Sequence, residues 1–147
     1  MDVILKLVKN IITIDGPSGV GKGTLAFSLA ENLNWNVLDS GLIYRLIGYL
    51  CLKEGIDTSK NIISYINKSK IQLITNLNAG ICEIELNDKV LGKELRNENI
   101  ASKASELAKE KEIRNAIIKI QRNTYDPEKG LIADGRDMGT IIFPKAA

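Results

Sequence analysis

Histidine is absent from all 147 residues. No mechanism here can therefore turn on an imidazole that exchanges its proton near neutrality, and little basis remains for a structural zinc site. Cysteine is scarce: Cys51 and Cys82 stand far apart in apolar surroundings without metal-ligand spacing. They read as two buried thiols of a reducing compartment. Neither sign of charge dominates, since 20 Lys and Arg against 18 Asp and Glu leave a net charge of +2. That balance points away from a nucleic-acid partner and toward a small anionic substrate. Long hydrophobic runs are missing as well. Residues 1–10 carry no apolar leader segment and no stretch approaches a membrane span, so a soluble, cytoplasmic protein without a membrane partner is expected. No internal repeat and no low-complexity linker interrupts the chain.

What is present suits one globular core. An apolar fraction of 44% over 147 residues predicts a single domain with room for one insertion. Ile11, Ile12 and Ile14 form a short β-branched run closing on Asp15, the pattern of a buried parallel strand. Glycine-rich residues 16–23 follow, and then Leu25, Ala26, Leu29, Ala30 and Leu33 recur at helical spacing. Val37 and Leu38 predict a second strand ending at Asp39. Leu42, Ile43, Leu46, Ile47 and Leu50 predict a second helix over 41–54, stopped at Gly55.

Between Ile71 and Leu91 the apolar period changes to two, with turn residues at 78–80 and 87–88, which predicts a small antiparallel meander inserted into an α/β chain. Helical spacing returns at Ile100, Ala104 and Leu107 and resumes in a shifted register at Ile113, Ile117 and Ile120. A break is therefore expected near 109–112. Asp126 and Pro127 end that helix, and Leu131, Ile132 and Ala133 predict a third buried strand stopping at Asp134.

Chemistry concentrates first in Gly16, Pro17, Ser18, Gly19, Val20, Gly21, Lys22, Gly23 and Thr24, which fit G-x-x-x-x-G-K with the hydroxyl one place beyond its usual position. A loop whose backbone N–H groups all turn inward around a phosphate needs conformations that a Cβ resists, and the glycines meet that need. Lys22 can reach the β and γ oxygens, while the helix starting near it aims its positive end at the same charge. By itself this motif specifies binding of a nucleoside triphosphate, not a reaction. A GTPase-type switch is disfavoured, because no Asn-Lys-x-Asp segment occurs.

The loop resembles that of nucleoside monophosphate kinases, where glycine commonly follows the lysine. Leu38-Asp39-Ser40-Gly41-Leu42-Ile43-Tyr44-Arg45 and Ala133-Asp134-Gly135-Arg136-Asp137-Met138-Gly139-Thr140, followed by Ile141-Ile142-Phe143-Pro144, are similar to two further motifs of the cytidylate kinases. The resemblance spans nearly the whole chain and includes the meander, which is enlarged in bacterial-type members. It implies a P-loop NTPase three-layer α/β fold with a parallel sheet. In that fold the core would take about 1–39 and 125–147 and the monophosphate-binding region about 40–124.

It further implies transfer of the γ-phosphate of ATP, with Mg²⁺, to CMP or dCMP. Ser40, Arg136 and Asp137 would then recognise the cytosine ring, an Asp accepting from the 4-amino group while Arg or Ser donates to the ring. Arg45 and Arg114 would clamp the monophosphate, a bidentate task suited to guanidinium. Ser105 would add a base contact, Arg96 would assist, and Tyr44 would wall the site. Asp134, at a strand end, would serve magnesium or the acceptor side. The catalytic set so implied is Lys22, Asp134, Arg45 and Arg114, and a monomer is expected if the chain is complete.

Complete members of this family continue into another core strand, an arginine-rich lid and an adenine-binding loop. The sequence here ends at Ala147. An incomplete sheet and weak or absent turnover of this polypeptide alone are therefore expected. The alternative to a kinase is a noncatalytic CMP- and ATP-binding fragment.

Overall fold

The computed structural model describes residues 10–16, 21–135, 138–144 and 146. They divide into two compact units. One comprises residues up to 40, 75–82 and 121 onward, and the other comprises 41–74 and 83–120.

The first unit is built on a parallel sheet of β1 (Ile11–Asp15), β2 (Asn36–Asp39) and β6 (Leu131–Gly135) in the order β1-β6-β2. Register runs from Ile11 opposite Leu131 to Asp15 opposite Gly135 on one side, and from Asn36 opposite Leu131 to Asp39 opposite Asp134 on the other. β6 is the central strand, with parallel neighbours pairing both of its edges, and every one of its residues is buried, as in parallel sheets whose two faces are covered by other layers.

Helix α1 (Lys22–Leu33) lies against β6, with Ala26 and Ala30 fully buried. The predicted apolar stripe is only half used, because Leu25 and Leu33 remain 51% and 43% exposed. The small alanines let the helix lie close to the sheet, and the bulkier leucines fall to its flanks. Asn34, in the left-handed conformation at φ 55°, ends α1 and turns the chain toward Trp35. Trp35 then lies on the backbone of Gly130, the residue that leads into β6. Gly130 has φ +102°, and a Cβ there would sit 2.5 Å from two atoms of the indole ring.

The second unit carries the rest of α2 (Ser40–Lys53), whose Ile43, Leu46, Ile47 and Leu50 are fully buried. Gly48 brings α2 against α4 (Glu98–Leu107): a Cβ would stand 2.8 Å from the Ile100 carbonyl and 3.2 Å from the Ala104 nitrogen. Only glycine permits that approach. After α2, Gly55 adopts φ +69°, as a helix-ending glycine should.

Helix α3 (Ser59–Lys68) goes beyond the elements expected from the sequence. The Thr58 hydroxyl accepts from the Asn61 amide at 3.2 Å, and Ile62 and Ile66 are buried one turn apart. These signals are legible but sparse, and most of its other positions are polar.

The meander forms as β3 (Ile71–Asn76), β4 (Ile81–Leu86) and β5 (Lys89–Leu91), in that spatial order. Cys82, Ile84 and Leu86 are buried at alternate positions of β4. Asn87 and Asp88 both take positive φ, 49° and 69°, the geometry of a tight two-residue hairpin, and pair Leu86 with Lys89.

The expected helical break lies between α4 and α5 (Lys111–Asn123), at residues 108–110. Arg114 bridges it: its guanidinium Nη1 donates to the Ala108 and Lys109 carbonyls at 3.2 and 2.9 Å, satisfying the open end of α4. Cys51 and Cys82 are both buried thiols outside any disulfide. Burial pushes the Cys51 thiol up against the opposing pull of Lys103, and Asp57, Glu110 and Glu106 add to the rise. Cys51 is therefore held as an inert thiol.

Candidate phosphate and nucleotide site

The first unit assembles the described part of the glycine loop where β1 passes into α1. Gly21 takes φ 88° and ψ 13°, a left-handed conformation that favours glycine, and α1 begins at the next residue. Among the described residues no side chain caps this helix, and its first turn holds no acidic residue. The opening amides of a twelve-residue helix are thus left for an anion, and the helix dipole reinforces the attraction.

Gly23 departs from the sequence-based expectation. It lies inside α1 rather than in a turn needing positive φ, and a Cβ there would come no closer than 4.0 Å to Asp134. Its value is open space on the lysine's side of the helix. Thr24 is exposed in the same turn. Pro17, Ser18, Gly19 and Val20 lie outside the described residues.

Lys22 and Asp134 meet here. The lysine Nζ is 2.9 Å from Asp134 Oδ1, and the two side chains are only 16% and 12% exposed. The pairing follows from the topology: β6 lies beside β1, so its last residues face the start of α1. The lysine's charge is therefore met by a carboxylate of the protein itself.

Ser40, 6% exposed, opens α2 directly after β2. It packs on Gly135, where a Cβ would fall 2.0 Å from the serine hydroxyl and 3.1 Å from Met138 Cε. Ser40, Gly135 and Met138 thus form one tight group at the end of the parallel sheet. Arg136 and Asp137, the two positions between Gly135 and Met138 in the chain, lie outside the described residues.

The remaining candidates belong to the second unit. Tyr44 and Arg45 are half-buried on α2, one turn before Gly48. Ser105 is exposed on α4, next to the Ala104 that Gly48 meets. These three therefore stand on two helices in direct contact. Arg114 sits at the start of α5, with Nη1 on the Ala108 and Lys109 carbonyls just after α4, and exposed Arg96 follows a short helical turn at Lys93–Leu95.

Two residues of the first unit carry contacts that the sequence did not reveal. Asp15, at the end of β1, accepts from the backbone N–H of Met138 at 2.6 Å and of Gly139 at 2.9 Å. Arg122 donates through Nε and Nη2 to the Ile142 and Ile141 carbonyls, each at 3.1 Å. An acidic residue just before a glycine loop was visible, but its partner more than a hundred positions away was not.

Magnesium would need one or two carboxylates here, since phosphate oxygens and water supply its remaining ligands. Asp134, beside Lys22 at the head of α1, fits that requirement. Among the described residues no group of three or more His, Cys, Asp or Glu side chains is placed to hold a metal ion. No helix among them is long and apolar enough to cross a membrane.

A parallel sheet whose first strand runs through a glycine loop into an uncapped helix, with a lysine at its head, defines a P-loop NTPase-like fold. Comparison with known proteins narrows the class. A family model for cytidylate kinases matches residues 12–147, and the chain belongs to that family. It is 41% identical over 138 residues to a cytidylate kinase of Pasteurella multocida, covering 94% of this chain and 60% of the relative. It is 40% identical over 138 residues to that of Azotobacter vinelandii, covering 92% and 60%, and 40% identical over 142 residues to that of Yersinia pestis, covering 92% and 59%. The chain thus spans about 60% of the length of the curated relatives it matches.

Proposed function

We propose that the protein acts in transfer of the γ-phosphate of ATP to CMP or dCMP, giving ADP and CDP or dCDP. The observation that carries this is the uncapped head of α1, with Gly21 in the left-handed region and Lys22 beside it, in a chain of the cytidylate kinase family. An oxygen of the acceptor phosphate forms the new bond to the γ-phosphorus while the bridging bond to the β-phosphate breaks and ADP leaves. The acceptor phosphate is ionised near neutrality and serves as its own nucleophile, so the transfer itself calls for no histidine as general base. What the site must supply is position and positive charge.

In this reading Lys22 and the α1 amides hold the β- and γ-phosphates, with Gly16 to Thr24 as the loop. Arg45 and Arg114 bind the acceptor phosphate, assisted by Arg96. Ser40, Ser105, Arg136 and Asp137 read the cytosine, and Tyr44 bounds the pocket. Asp134 would hold magnesium, whose chemistry is to neutralise charge that develops on the phosphate oxygens.

A coupled ADP-release assay with CMP, dCMP, UMP and AMP, paired with calorimetric CMP binding, tests this. Turnover confined to cytidine nucleotides is expected of the kinase. CMP binding without turnover would instead make the chain a nucleotide-binding fragment, and equal activity on AMP would refute the cytosine assignment.

Asp134 gives a sharper test, because it holds the lysine that ATP must claim. In Asp134→Asn, magnesium-free ATP is expected to bind more tightly, since Lys22 is no longer contested. The gain in ATP affinity on adding magnesium is expected to shrink by about tenfold. Titration calorimetry with and without the metal reads both. An undiminished magnesium effect would remove Asp134 from the metal's surroundings.

A further inference from the structure

We propose that Glu110 is a positioning residue for the acceptor phosphate, acting through the guanidinium of Arg114. Its carboxylate anchors the joint between α4 and α5 on which that guanidinium rests. This deepens the function proposed above and rests on its assignment of Arg114 to the acceptor phosphate.

Glu110 stands where one helix closes and the next opens. Its amide donates to the Leu107 carbonyl at 3.0 Å, at the end of α4, and its own carbonyl accepts from the Arg114 amide at 3.1 Å, in the first turn of α5. The Arg114 side chain then returns over the joint, where Nη1 donates to the carbonyls of Ala108 and Lys109, the two residues before Glu110. Backbone and side chain of Arg114 thus both rest on residues 108–110. The place of the joint sets the place of the guanidinium.

The joint has little of its own to hold it. Lys109 and Glu110 are exposed and Ala108 is half-buried, so none of the three locks a large side chain into the core. An anchor comes instead from another helix: Glu110 Oε2 accepts from the hydroxyl of Ser59, the first residue of α3. The first turn of α3 holds no acidic residue, and its cap is the neutral hydroxyl of Thr58. A carboxylate brought there from the joint is therefore favoured by the helix dipole as well as by the hydrogen bond. Holding the joint in place lowers the cost of ordering the guanidinium when a ligand binds. Charge alone predicts the opposite sign, because a carboxylate near a phosphate repels it. Removing Glu110 thus lowers phosphate affinity if it holds Arg114 in place, and raises it if it acts only as a charge.

Equilibrium binding of CMP and of ATP is measured by titration calorimetry for the native chain and for Glu110→Ala, Ser59→Ala and Glu110→Gln. CMP affinity is expected to fall about three- to fivefold in each alanine variant, the scale of one exposed hydrogen bond, while ATP affinity stays unchanged. Glu110→Gln keeps an oxygen that accepts from Ser59, and its CMP affinity is expected within about twofold of native. Arg114→Lys keeps the charge but loses the planar fork, and is expected to lower CMP affinity about tenfold. Adding Glu110→Ala to that variant should change nothing further, because the group through which Glu110 acts is already gone.

Unchanged or raised CMP affinity in Glu110→Ala overturns the inference and leaves the kinase reading intact. So does a loss on Glu110→Ala that persists undiminished beside Arg114→Lys, or one matched by an equal loss of ATP affinity. A native chain that binds no cytidine nucleotide removes the function reading, and this inference falls with it.

Discussion

Lys22→Met is expected to weaken ATP binding about 10- to 100-fold, the loss of a charge-assisted hydrogen bond to the phosphates. Any phosphoryl transfer should fall about 10²- to 10³-fold, because the charge removed is one that meets the developing negative charge. Methionine keeps the unbranched stem, so packing along α1 changes little. A second effect follows from the 2.9 Å pair with Asp134, whose side chain is 12% exposed. Without the lysine that carboxylate sits in a poorly solvated place with no cation, at a cost of about 1 kcal/mol, less than for a fully buried pair. Combining Lys22→Met with Asp134→Asn should recover the stability but not the ATP affinity. Calorimetric binding and thermal unfolding separate the two effects, and ATP affinity unchanged in Lys22→Met would refute the assignment of the loop.

Gly130→Ala is expected to have the largest effect on stability. At φ +102° an alanine is strained, and its Cβ would lie 2.5 Å from Trp35 Cδ2 and Cε2 and 2.8 Å from Cγ. Backbone strain and overpacking against a ring each cost about 1–3 kcal/mol. A combined loss of about 3 kcal/mol corresponds to a fall in Tm on the order of 10 °C for a chain of this size. Gly80→Ala provides the control. Gly80 has φ +66°, and a Cβ there would meet nothing within 4 Å, so it carries the conformational cost alone, about 1 kcal/mol. Equal Tm shifts in the two variants, read by scanning calorimetry, would show that the indole moves aside freely.

Much of the architecture was legible because its causes are local. Hydrogen bonds that close a helix or a tight hairpin join residues near in sequence, so apolar period and turn chemistry announce them. The β1-loop-α1 order, the positive-φ hairpin at Asn87 and Asp88, and the break between α4 and α5 are of this kind. Helix α3 escaped because one threonine cap and two buried isoleucines are a thin signal. The uneven burial of α1 escaped because a helical stripe does not say which of its residues meets the sheet.

By itself the sequence determined the strand-loop-helix unit, the insertion of an antiparallel meander and the resemblance to cytidylate kinases that the family match bears out. The tertiary structure decided that β6 lies between β1 and β2, and with it which charges meet. Lys22 reaches Asp134 across 112 positions, and Asp15 reaches Met138 across 123. Strand order and side-chain pairing at such separations are set by how the core packs, and no local spacing records that.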